Sequence, residues 1–89
     1  MPGQRSPTFL HNRLAQNLRQ RRQKLGISQE ELARRSGVHR TYVGAVERAE
    51  RNISLAILEL LAEGLDCDPN ELLAGPTVDE MASPQPGTG

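Results

Sequence analysis

The sequence predicts an all-α protein, five short helices closed around one modest core. Three observations carry this. Apolar residues recur near the helical period in the first third of the chain. Ser28, Ser54 and Asp68 each stand where a helix can be capped, and each of the three segments they open ends near a glycine. No segment shows the strict alternation and β-branched enrichment of a strand.

The first helix is expected from about Thr8 to Leu25, with Leu10, Leu14, Leu18 and Leu25 as its apolar stripe. Gly26 follows, a residue able to turn left-handed without a Cβ clash. The second helix has the clearest start. Ser28 can accept from the Glu31 amide while Glu31 reaches back to the Ser28 amide, and Ile27 and Leu32 can staple across the cap. It should stop at Gly37 after about two turns. The third helix begins near His39 or Arg40 and runs to about Arg48. The fourth follows Ser54 and reaches about Glu63, with Gly64 as its stop signal. In the fifth, Asp68 caps, Pro69 suits the first helical position, Glu71 completes a second capping box, and Gly75 ends the helix after Leu72 and Leu73.

This places one domain over 8–74, flanked by an arm (1–7) and a tail (75–89). Both flanks are rich in proline and glycine and poor in apolar groups, so they should not offset their ordering entropy. A chain of 89 residues has room for one core, and with Phe9 and Tyr42 its only aromatics that core must be aliphatic. The single cysteine, Cys67, excludes an intrachain disulfide and fits a reducing, cytoplasmic setting. No signal peptide is read at the start, and the longest apolar stretch, Ile53 to Ala62, is too short to span a bilayer. His11, His39 and Cys67 lack metal-ligand spacing. No glycine-rich phosphate loop or nucleophile–base pair is present either, so neither cofactor nor enzymatic chemistry is expected.

The net charge is zero, but it is unevenly spread. Residues 1–48 carry ten basic residues against Glu30, Glu31 and Glu47; residues 49–89 carry Arg51 against eight acids. One face is thereby suited to a polyanion and the other to something else.

Two short helices meet at Ser36-Gly37-Val38-His39, and a tight glycine-containing turn between short helices is the helix-turn-helix signature. In such a unit the first helix braces a DNA backbone and the second offers its side chains to the major groove. Val38, Val43 and Val46 should pack inward, which leaves Thr41, Gly44, Ala45 and Arg48 on the opposite face, with Arg40 projecting from the helix start. Two small residues on that face would let the backbone sit deep in a groove. Arg40 could then reach guanine O6 and N7, and Thr41 a thymine methyl. Close helix packing is the other explanation for Gly44 and Ala45.

The stretch from Leu25 to Leu55 resembles the lambda-repressor/Cro-like helix-turn-helix family, through Ser-Gln-Glu-Glu-Leu-Ala at 28–33, Ser-Gly-Val at 36–38 and Val-Glu-Arg at 46–48. The segment from His39 to Leu55 also resembles the controller proteins of restriction–modification systems. The resemblance covers about residues 10–74 and implies a compact five-helix domain of the lambda-repressor-like type. It implies that Arg40, Thr41, Gly44 and Ala45 face DNA bases and that Gln29 sits against a phosphate while supporting the recognition helix. Tyr42, Arg51 and Asn52 would touch phosphate, with His39 and Arg48 beside them, and Arg22 and Glu47 would form a partly buried ion pair. One departure is Ala49, where the family usually has a glycine to end the helix left-handed.

The expected function is that of a sequence-specific transcriptional regulator, binding a palindromic double-stranded DNA operator as a homodimer. Repression and activation both stay open, the latter with Glu30 or Glu31 as candidate contacts to RNA polymerase. Leucines in the acidic half, Leu60, Leu72 and Leu73, are the expected dimer interface. The alternative is an antitoxin or other interaction protein whose tail, through Val78 and Met81, folds on a protein partner. Removing 75–89 separates the two.

Overall fold

The computed structural model describes residues 9–75. Over that span the chain forms five α-helices, α1 Phe9–Leu25, α2 Gln29–Ser36, α3 Arg40–Glu47, α4 Leu55–Gly64 and α5 Pro69–Leu73, with no strand among the described residues. The 1–7 arm, Thr8, Val78, Met81 and the rest of the tail beyond Gly75 lie outside the described residues.

Helix α1 packs on α3 and α5, α2 packs on α3 and α4, and α4 closes onto α5. The core between them is aliphatic. Its fully buried leucines are Leu18, Leu32, Leu61, Leu65 and Leu72, with Val43 and Val46 from α3. Each such side chain contributes about 1.5–3 kcal/mol by leaving water. The α1 stripe is buried only in its middle: Leu14, Ala15 and Leu18 are covered, while Leu10 and Leu25 stay exposed. The reason is length. Seventeen residues of α1 lie against partners of eight and five residues, so its ends overhang the core.

The caps follow from local chemistry. Ser28 Oγ accepts from the Glu31 amide at 3.0 Å, and Ser54 Oγ accepts from the Ile57 amide at 3.1 Å. At α5 the box is complete: Asp68 Oδ1 takes the Asn70 amide at 2.8 Å, and Glu71 Oε2 takes the Asp68 amide at 3.4 Å. At α2 only the serine half is made, because the Glu31 carboxylate is occupied by Arg34 and Arg35. Those two guanidiniums hold Glu31 below the usual carboxylate range.

Helices α1, α3 and α4 end with one and the same bond pattern. A left-handed residue follows each helix, at Gly26 (φ 71°), Ala49 (φ 59°) and Asp66 (φ 57°). Its amide and the next one turn back onto carbonyls of the last turn, as in Ala49 N to Val46 O at 3.0 Å and Glu50 N to Ala45 O at 2.9 Å. Two readings change here. Gly64 does not stop α4 by turning left-handed; Asp66 does that. Gly64 is instead the point where α4 lies against α2. A Cβ there would stand 3.0 Å from Ser36 Cβ and 3.1 Å from the Ser36 amide nitrogen. Leu72, expected at a dimer interface, is only 1% exposed and closes the monomer core. Asn17 Nδ2 holds it there by donating to the carbonyls of Leu72 and Ala74, both at 2.9 Å.

Candidate nucleic-acid interface

The turn between α2 and α3 is built from short-range bonds. Gly37 is left-handed at φ 77°, and its amide donates to Ala33 O at 2.8 Å. Buried Ser36 accepts the Val38 amide on its Oγ at 3.2 Å, which draws Val38 into the core. His39 then caps α3, its Nδ1 accepting from the Thr41 amide at 3.1 Å. Acceptance at Nδ1 places the imidazole proton on Nε2, an available donor at the helix start. Arg40 and Thr41, the first residues of α3, are exposed side by side.

The outward face of α3 is narrower than a helical wheel suggests. The structure buries Gly44, and Ala45 is only 8% exposed. Gly44 is roofed by two side chains: a Cβ built on it would lie 3.3 Å from Gln29 Oε1 and 3.2 Å from Arg48 Nη1. The wheel missed this because the roof comes from the neighbouring helix and from the end of α3 itself.

Behind α3 stands a buried carboxylate. Glu47, 3% exposed, accepts from Arg22 Nε at 2.6 Å, from Arg22 Nη2 at 3.1 Å and from Gln29 Nε2 at 2.9 Å. Arg22 Nη1 also donates to Ile27 O at 2.9 Å, and Arg19 Nη1 to Glu47 O at 2.7 Å. One acid thus ties α1, α2 and α3 together. The hydrogen bond to Glu47 raises the Arg22 pKa above its ordinary value, and the opposing effect of burial is smaller. Gln29, an expected phosphate contact, is therefore also a direct partner of Glu47.

The loop after α3 gathers three more expected contacts. Tyr42 Oη donates to Asn52 O at 2.8 Å, and the Arg51 guanidinium lies 5.2 Å from the centre of the Tyr42 ring. Arg48 pairs with Glu50, Nε to Oε1 at 3.1 Å. Glu50 is the residue that the sequence reading passed over; an acid inside an arginine-rich stretch was its only signal. Cys67 lies apart, against α1, where burial pushes its thiol up. No group of three or more His, Cys, Asp or Glu able to hold a metal occurs among the described residues.

Two short helices at a glycine turn, with the second braced from behind and leading with an exposed arginine, define a helix-turn-helix protein. A family model described as Helix-turn-helix matches residues 18–72. Control protein C.SmaI of Serratia marcescens is 50% identical over 60 residues, 67% of this chain and 71% of that one. The crystal structure of the restriction–modification controller protein C.AhdI from Aeromonas hydrophila superposes with a TM-score of 0.68 at 48% identity, over 70% of this chain and 94% of that one. A hypothetical transcription factor from Neisseria, NHTF, superposes with a TM-score of 0.74 at 44% identity, over 81% and 83% of the two chains. The chain belongs to the helix-turn-helix family and is a DNA-binding transcriptional regulator.

Proposed function

We propose that the protein is a controller-type regulator that reads a palindromic operator as a homodimer. The observation that carries this reading is the exposed Arg40–Thr41 pair at the start of a helix whose back is locked by Glu47, on a chain similar to restriction–modification control proteins. Arg40 and Thr41 read base edges. Gly44 and Ala45 come close to them once the side chains over Gly44 swing aside. His39, Gln29, Tyr42, Arg48, Arg51 and Asn52 set the register on phosphates. Exposed Glu30, unlike the arginine-bound Glu31, is free to meet RNA polymerase when the operator abuts a promoter. Two copies would set their α3 helices about 34–36 Å apart, one DNA turn. This work belongs with the chromosome in the cytoplasm.

The test is selection of bound duplexes from a random-sequence pool, followed by affinity measurement on the selected site. Arg40→Ala should weaken specific binding by about 1–3 kcal/mol and relax the preference at one base pair in each half-site. Arg51→Ala should weaken binding evenly across sequences and flatten its salt dependence. An Arg40→Ala protein with an unchanged ranking of sequences would reassign Arg40 to phosphate.

A further inference from the structure

The cations of the proposed DNA face are not equally available. Arg22 is committed to Glu47, and Arg34 and Arg35 to Glu31. Arg40 stands exposed and Arg51 lies on Tyr42. Arg48 is a different case. Its Nε is held by Glu50 at 3.1 Å, both side chains being more than half exposed. The far end of the same guanidinium folds back over the reading helix. Its Nη1 lies 3.2 Å from where a Gly44 Cβ would be, and Gln29 Oε1 lies 3.3 Å from the same point. One carboxylate therefore holds one arginine across the part of α3 that has to approach a groove.

We propose that Glu50 is an internal competitor for DNA: its ion pair keeps Arg48 folded over Gly44 in the free protein, and docking must exchange that pair for a phosphate. The proposal rests on the reading of α3 as the groove helix. Three physical points support it. The left-handed turn at Ala49 brings Glu50 back toward the end of α3, where its amide bonds Ala45 O at 2.9 Å, so the carboxylate is presented to Arg48 by the backbone. An exposed ion pair is weak enough to be exchanged during binding. A phosphate offers the same guanidinium a charge-assisted, bidentate alternative. Release of Arg48 also lifts one of the two side chains that cover Gly44, so the exchange eases the close approach of the helix. Glu50 then limits affinity for any duplex, because no DNA can use Arg48 without displacing it.

The experiment measures the affinity of the full chain for a fluorescently labelled duplex of arbitrary sequence at low salt. It compares wild type, Glu50→Gln, Arg48→Ala and the double variant, with circular dichroism confirming the fold of each. Glu50→Gln should tighten binding about two- to five-fold, the range set by an exposed pair. Arg48→Ala should weaken binding, and on that background Glu50→Gln should have little further effect. An equal gain on both backgrounds would mean that Glu50 acts through its charge alone, which overturns the exchange. Unchanged or weaker binding by Glu50→Gln would overturn it as well, by making Glu50 neutral or a support for Arg48. No binding of any duplex by wild type is a separate result: it removes the DNA reading itself, and this proposal with it.

Discussion

Glu47 is the residue on which the reading helix depends. Its carboxylate is out of water and answered by three nitrogen donors from Arg22 and Gln29. Removal of one partner from such a pair leaves the other charge unanswered and costs about 3–5 kcal/mol. A small domain holds only about 5–15 kcal/mol in total. Glu47→Ala should therefore lower the melting temperature of the free protein sharply, before any DNA is added, and an unchanged melting temperature would contradict the burial described here. The pairing sets no limit on working pH from the arginine side. A guanidinium whose folded pKa is raised keeps its stabilising contribution at every pH below its ordinary value and loses it only in strong base.

The helices are bounded by small features with opposite expected responses. Ala49 holds φ 59° without the freedom of a glycine, a conformation that costs an L-residue about 1–2 kcal/mol. Ala49→Gly should recover that strain by more than the looser unfolded chain gives back, and so raise the midpoint of chemical denaturation. A midpoint that falls would mean that α3 ends in another way. Gly64 responds in reverse. Alanine is the better helix former, yet a Cβ here meets the backbone of Ser36. Gly64→Ala should destabilise by about 1–3 kcal/mol, the range of overpacking. A stabilised Gly64→Ala protein would show that α2 and α4 can separate at little cost.

At the level of the molecule, the question is which apolar surface remains once the monomer is closed. Leu61, Leu65 and Leu72 are consumed by the core, and Leu73 packs partly against it. On α4, Leu55 stays 76% exposed and Leu60 37% exposed. Among the described residues after Arg48, these two are the exposed large apolar side chains, and with half-buried Leu73 they are the groups offered to the proposed pairing of two copies through the acidic half. Leu60→Glu should reduce sedimenting mass from dimer toward monomer at micromolar concentration and leave the helical signal intact. Leu72→Glu should instead unfold the chain. Dimers that survive Leu60→Glu and Leu55→Glu together would move the interface elsewhere.

Local chemistry was sufficient for much of this protein. A helix cap is a bond between residues two or three apart, and a left-handed turn is a property of one residue, so Ser28, Gly37, Ser54 and Asp68 could be assigned their places before any fold was known. The inward valines of α3 follow from the helical period alone. Apart from the Arg22–Glu47 pair, which the family resemblance implied, what required the tertiary structure was each property that depends on a neighbouring element. Gly44 is buried because Gln29 of the neighbouring helix joins Arg48 in covering it, and Gly64 is a contact point because Ser36 stands opposite. Leu72 belongs to the core because α5 folds back onto α1 and α4, where Asn17, fifty-five residues earlier, holds its carbonyl. Spacing tells which way a side chain points from its own helix; only the assembled helices decide whether water or another side chain is waiting there.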